Sequence, residues 1–254
     1  MDHLPPELIG LIVDHLRDDK AALKACSVVS RAFLPRFWAH LFESFVLRTK
    51  DIEDVRAHTQ LLSHRALFYI RNLYVLERYG SPMQLSHLDG IFEVFVAFKN
   101  VRDLKLALLA TDFVNLDLTL TSRHFTHFQP TLRSLQLTVP TNNPKDLITF
   151  IAFFPFLEEV TLEFFRPFKQ VNGKSGELDP SLLNPLRGTL RIYATRSDSG
   201  FTQELAKVRV QYHTLELFLD PVSFGTGLQA LIAAYAPTLR VLRLQRCTSF
   251  SACW

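Results

Sequence analysis

Three stretches of this chain, QPTLRSLQL (129–137), FPFLEEVTL (154–162) and APTLRVLRL (236–244), align without gaps. Each carries a proline followed by an apolar-x-x-apolar-x-leucine run, an alternation that suits a short strand with one buried face. Without the proline, the frame also fits Ile70-x-x-Leu73-x-Val75, Val101-x-x-Leu104-x-Leu106 and Tyr212-x-x-Leu215-x-Leu217. Leu190-x-Ile192 fits only its end, because Arg187 occupies the first position. The central apolar residues are Leu73, Leu104, Leu135, Val160, Leu190, Leu215 and Leu242, at intervals of 31, 31, 25, 30, 25 and 27. A unit of this size cannot bury its own apolar face. It has to stack on copies of itself, so the period predicts a solenoid.

Helical patterns lie between the strands. Leu88, Ile91, Phe92, Phe95 and Phe98 recur at helical spacing, as do Leu147, Ile148, Ile151 and Phe154, with Pro144 to open the latter helix and Pro155 to close it. Strand and helix alternating at this distance predict an α/β fold with a parallel sheet. The 22 phenylalanines against 9 glycines point to an apolar interior packed in many similar layers. Between residues 112 and 128 helix and strand patterns compete. The stretch KQVNGKSGELDPS (169–181) is polar and turn-rich, which predicts a protruding loop.

A strand followed by a helix, with the strand reading L-x-x-L-x-L, resembles the leucine-rich repeat. The last copy, with Leu239, Leu242, Leu244, Cys247 and then Phe250, is similar to the cysteine-containing variety. The other copies lack the usual Asn or Cys three residues after the last strand leucine, which implies an irregular curve. The resemblance implies about seven repeats over 46–254, with the parallel sheet on the concave side. Side chains alternate along a strand, so the neighbours of the central residues form one outward stripe: Tyr74, Lys105, Gln136, Glu159, Thr161, Arg191, Tyr193, Glu216, Phe218 and Arg243. Tyr74, Tyr193 and Phe218 are its candidate anchors for a protein target. At the other end of the repeats, residues 245–254 are expected either to fold back over the last turn or to continue into a longer chain, because a solenoid end needs a cap.

The first forty-five residues differ. On a wheel of Glu7 to Arg17, the residues Leu8, Ile9, Leu11, Ile12, Val13 and Leu16 fill an arc of roughly 200°, against the ~100° that one core requires. Pro5-Pro6 suits a helix start, Asp18 or Asp19 a second and Pro35 a third. Three short helices over about forty residues rarely supply an adequate core. Either the first helix buries a second face against a partner, or the bundle is a cap on the following domain. The run Leu4-Pro5, Glu7, Leu8-Ile9, Ile12, Leu16, Leu23, Cys26, Val29-Ser30 and Phe33 resembles an F-box, with Phe33 where that family usually has tryptophan. The resemblance covers residues 4 to about 45 and implies a helical F-box bundle over 1–45. It implies a Skp-type adaptor, and through it a cullin scaffold, as partners, with Leu4, Pro5, Leu8, Ile9, Ile12, Leu16, Leu23, Cys26, Val29 and Phe33 at the adaptor.

No motif carries bond chemistry. His124-x-x-His127 lacks accompanying ligands at metal spacing, so both are expected on the surface near a strand start. Gly173-Lys174-Ser175 ends like a phosphate loop, but Phe168 stands where its first glycine belongs. No enzyme activity, cofactor or metal is expected. Net charge is +3 with both signs interspersed, which gives no case for nucleic acid. Three widely spaced cysteines do not look like a disulfide framework, and no apolar run approaches the ~20 residues of a membrane span. An intracellular protein, cytoplasmic or nuclear, is expected. The sequence thus predicts a non-catalytic substrate receptor of a ubiquitin ligase, or else a repeat scaffold that binds a partner without a ligase.

Overall fold

The structure, a computed structural model, describes residues 5–28, 34–48, 57, 60, 64–76, 94–107, 125–138, 144–164, 187–194, 199–208, 211–219 and 226–246. Eight strands form one open, wholly parallel sheet in the order of the chain. They are β1 (Ser44–Arg48), β2 (Asn72–Leu76), β3 (Asp103–Ala107), β4 (Ser134–Thr138), β5 (Glu159–Phe164), β6 (Arg187–Ala194), β7 (Gln211–Leu219) and β8 (Val241–Arg246). Seven α-helices accompany them among the described residues. Three precede the sheet: α1 (Pro6–His15), α2 (Lys20–Ser27) and α3 (Leu34–Leu41). The others are α4 (His64–Tyr69), α5 (Pro144–Ala152), α6 (Ser199–Lys207) and α7 (Thr226–Tyr235).

The central residues read from the sequence fall in one row across the sheet. Leu73 pairs with Leu104, then Leu135, Val160, Leu190, Leu215 and Leu242. The row begins one strand earlier than the sequence frame, at Phe45 of β1. This first strand runs across the boundary drawn between 45 and 46. Of the helical pattern at 88–98, Phe95 and Phe98 are fully buried, while Leu88, Ile91 and Phe92 lie outside the described residues. The loop at 169–181, Cys247 and Phe250 also lie outside them, as does the competing stretch at 112–124.

The strands start alike. The Glu43 carbonyl accepts the amides of Arg71 and Asn72, the Arg71 carbonyl those of Arg102 and Asp103, the Arg102 carbonyl those of Arg133 and Ser134, and the Arg133 carbonyl those of Glu158 and Glu159. One oxygen thus uses both lone pairs to fix the next turn in phase. The series changes at Glu158, whose carbonyl accepts only from Thr189, because Gly188 is left-handed with φ 91. The register between β6 and β7 shifts at Gly188/Thr189. This irregularity accompanies Arg187, the exposed residue that breaks the apolar frame.

The core lies between the sheet and the helices. Six or seven residues before six of the seven central positions stand Leu67, Phe98, Phe128, Phe154, Val208 and Tyr235, all buried. Phenylalanine rings link successive turns: Phe45 to Phe98 at 5.7 Å, Phe95 to Phe125 at 5.5 Å, and Phe125 edge-on to Phe150 at 5.3 Å. At β8 the pattern ends. Leu242 and Leu244 continue the inward rows but are 40% and 51% exposed.

Gly188→Ala is expected to lower stability by about 2–4 kcal/mol in urea denaturation, since a Cβ there would overlap the Glu158 carbonyl in a backbone region that disfavours side chains.

Candidate functional site

Two surfaces bring chemistry-bearing side chains together. The first is α1. Pro5 precedes the helix and Glu7 sits in its first turn, where a carboxylate suits the dipole. Ile9, Val13 and Leu16 turn inward: Val13 meets Leu23 and Phe37 in a small buried core, and Ile9, Leu16, Cys26 and Leu41 pack around it. Leu8, Leu11 and Ile12 face the other way and are 45%, 65% and 49% exposed. Val28, after α2, adds a further exposed aliphatic. The helix therefore has two apolar faces, of which only one is covered.

Charge fixes its orientation. Gly10 and Asp14, one turn apart, share a side of α1. The Arg36 guanidinium lies against Gly10, where a Cβ would displace it, and donates to Asp14 at 2.7 and 3.3 Å. Nε2 of His40 is 2.8 Å from the same carboxylate. The hydrogen bonds from Arg36 and His40 lower the Asp14 pKa to about 2. Asp19 caps α2 by accepting the amides of Ala21 and Ala22.

Of the ten residues that the F-box resemblance places at an adaptor, Pro5, Leu8 and Ile12 are exposed. Leu23 is fully buried at the centre of the bundle, with Val13 of α1 and Phe37 of α3. Ile9, Leu16 and Cys26 are half-buried against the same core. Leu4, Val29 and Phe33 lie outside the described residues. Leu11, which the resemblance does not place at the adaptor, lies on the same wheel arc and is the most exposed of the three.

The second surface is the outer face of the sheet. Nine of the ten stripe residues alternate with buried ones, and Arg243 alternates with Leu242 and Leu244 of the inward rows, so none belongs to those rows. Seven form one row, from Tyr74 through Lys105, Gln136, Thr161, Arg191 and Glu216 to Arg243. Glu159 belongs to the row before it, and Tyr193 and Phe218 to the row after. Glu159, Arg191, Glu216 and Arg243 make a chain of ion pairs at 3.2, 2.8 and 2.7 Å. Glu216 corrects the expectation of an exposed residue: flanked by both guanidiniums, it is 7% exposed. The Tyr193 and Phe218 rings stack at 4.2 Å, tilted by 6°. Tyr74 is four strands away and does not join them.

A further cluster joins Gln136 of the stripe to two residues that the sequence reading does not single out, Thr138 and Glu163. Glu163, on β5, is buried on this face and accepts from Gln136 at 2.6 Å and from the Thr138 hydroxyl. Adding two to Gln136 and Thr161 in the same frame would have found Thr138 and Glu163. Burial first, and then the charge of Glu159, push the Asp103 carboxyl above its usual range. His127 also corrects an expectation. Its ring lies 4.0 Å from that of Phe128, Nε2 is buried without a hydrogen-bond partner, and burial pushes its pKa down. His124 lies outside the described residues.

Comparison with protein-family models and with curated proteins finds no match for this chain. Among the described residues, no helix is long and apolar enough to cross a membrane.

The depressed pKa of Asp14 sets a pH dependence. The folded carboxyl titrates below its ordinary value of 3.8, so its stabilising effect is complete above that pH and is lost as pH falls towards about 2. Asp14→Asn is expected to flatten the stability–pH curve in that window, and side-chain NMR of the parent should place the Asp14 midpoint near 2.

Proposed function

We propose that this chain is the substrate-recognition subunit of a cullin-based ubiquitin ligase, built as an F-box bundle followed by an irregular leucine-rich-repeat solenoid. The bundle docks on a Skp-type adaptor, and the outer face of the sheet holds a protein target. Catalysis belongs to the assembly. This subunit supplies proximity, raising the effective concentration of a target lysine near the conjugating enzyme.

The observation that carries this reading is the uncovered apolar face of α1, Leu8, Leu11 and Ile12, on a helix whose opposite face already fills a core of its own. An apolar face left open on so small a bundle marks a place where a partner sits. The order of the matching residues, from Leu4-Pro5 through Cys26 and Val29-Ser30, supports the choice of partner.

Capture of a purified Skp-type adaptor tests it. Leu8→Ala and Ile12→Ala are each expected to weaken capture by about tenfold or more without unfolding the chain, since an aliphatic buried at an interface typically contributes ~2 kcal/mol. Ile9→Asp is expected to loosen the bundle itself, because Ile9 packs inward. If Leu8→Ala and Ile12→Ala both bind like the parent, the ligase role is wrong, and a repeat scaffold without a ligase remains.

The target surface is tested separately. Tyr193→Ala combined with Phe218→Ala removes the stacked pair on β6 and β7. Affinity capture should lose the target while adaptor binding and the melting temperature hold. A large fall in melting temperature would instead assign these rings to the core.

A further inference from the structure

The residues whose carbonyls phase the sheet carry a second pattern in their side chains. Arg71, Arg102 and Arg133 occupy the same place in three successive turns, each locked to the next by two amides at 2.7–3.0 Å. Equivalent backbone bonding gives them one stagger, at the ~4.8 Å spacing of neighbouring strands. Arg71 and Arg102 are exposed and make no ion pair among the described residues. Arg133 is half-exposed, lies 4.9 Å over the Phe156 ring and has Glu158 at 3.6 Å. Lys99, exposed on the turn before Arg102, adds a further cation. Three acids adjoin the column and all are engaged: Glu158 pairs with Arg133 itself, Glu43 receives the Arg17 guanidinium at 3.0 Å, and half-buried Asp103 is hydrogen-bonded by Ser134.

Like charges on adjacent strands repel and cost stability. Arg71 and Arg102, placed in phase by their backbones and without an ion pair among the described residues, are a cost that an anionic ligand would offset. We propose that Arg71, Arg102 and Arg133 form a docking edge for an extended, carboxylate-rich segment of a partner protein. Guanidiniums match carboxylates two hydrogen bonds at a time. From Arg71 to Arg133 the column spans roughly 10 Å, which three or four residues of an extended chain cover at ~3.3 Å each. Glu43 and Glu158 close it at either end, so its length suits a short acidic run rather than the long basic track that a nucleic acid backbone follows. Exposed Phe68 and Phe156, on the turns at the two ends, offer apolar contact to the residues that flank such a run. This edge lies at the amino-terminal ends of β2, β3 and β4 and needs neither the adaptor nor the stacked rings.

The test uses the full chain and a fluorescein-labelled peptide rich in glutamate, followed by fluorescence anisotropy at low and physiological salt. The peptide should bind, its all-glutamine counterpart should not, and added salt should weaken the complex. Arg71→Gln and Arg102→Gln should each weaken it about threefold to tenfold, and the double variant should abolish it. Lys20→Gln, which removes the same charge from α2, should change nothing. Melting temperatures of the arginine variants should hold or rise at low salt, and adaptor capture should be unaffected, which separates this result from the fate of the ligase reading. Equal loss in Lys20→Gln, equal binding of the glutamine peptide, or tighter binding of a labelled oligothymidylate would overturn the proposal. So would a fall in melting temperature, which would make these guanidiniums structural.

Discussion

The first half of the sheet depends on a single repeated interaction, the carbonyl at the start of each of β1 to β4 that accepts two amides from the next turn. Parallel pairing by itself fixes spacing but leaves register to the side chains, and a slip of one residue would turn every inward leucine to the outside. A shared acceptor removes that freedom at the first residue of the strand. Geometry then sets the remaining positions: inward rows begin at Phe45 and Leu47, and polar or half-buried side chains alternate with them. At Gly188 the series loses one of its two bonds, and there the sheet changes register. The irregular turn in the sequence and the irregular turn in the structure are one event.

Inside, turns are joined by rings more than by polar bonds. Phe95, Phe125, Phe150 and Phe154 meet between turns at 5.3–6.4 Å. Edge-on and tilted ring pairs each contribute roughly 0.5–1.5 kcal/mol beyond their area. The polar links that exist lie at turns: Asn100 donates to the Phe68 carbonyl, Gln129 to that of Phe153, and Thr238 to that of Tyr212. Each spans two successive turns, so these side chains do some of the joining that a regular internal ladder would do.

How legible this was depended on the range over which each signal acts. Period-two alternation is local, and it placed seven central residues in one row. β1 is equally legible: Phe42-x-x-Phe45-x-Leu47 fits the frame, but Phe42 also fits the helical spacing of Phe37, Trp38 and Leu41. Two periodicities overlap at one residue. On α1 a 200° apolar arc does not say which half a neighbour covers; that depends on where α2 and α3 lie. His127 looks polar and sits half-buried against Phe128, since burial is set by the ring behind it. The arginine column is hidden by its spacing. Charges 31 residues apart read as interspersed along the chain and become neighbours only when the turns stack.

The bundle shows why the amino-terminal helices belong with the sheet. A core of Val13, Leu23 and Phe37 is too small to hold three helices alone. Glu43 supplies the tie in two ways. Its carboxylate takes both bonds from Arg17, just past α1, and its carbonyl takes the amides of Arg71 and Asn72 that start the next turn. A residue that ends one unit thus begins the other's ladder. An exposed ion pair alone would contribute little. Here it acts on a backbone already held by two hydrogen bonds, so less entropy is lost in forming it. The same tie engages the Glu43 carboxylate with Arg17 rather than with Arg71 on the next turn.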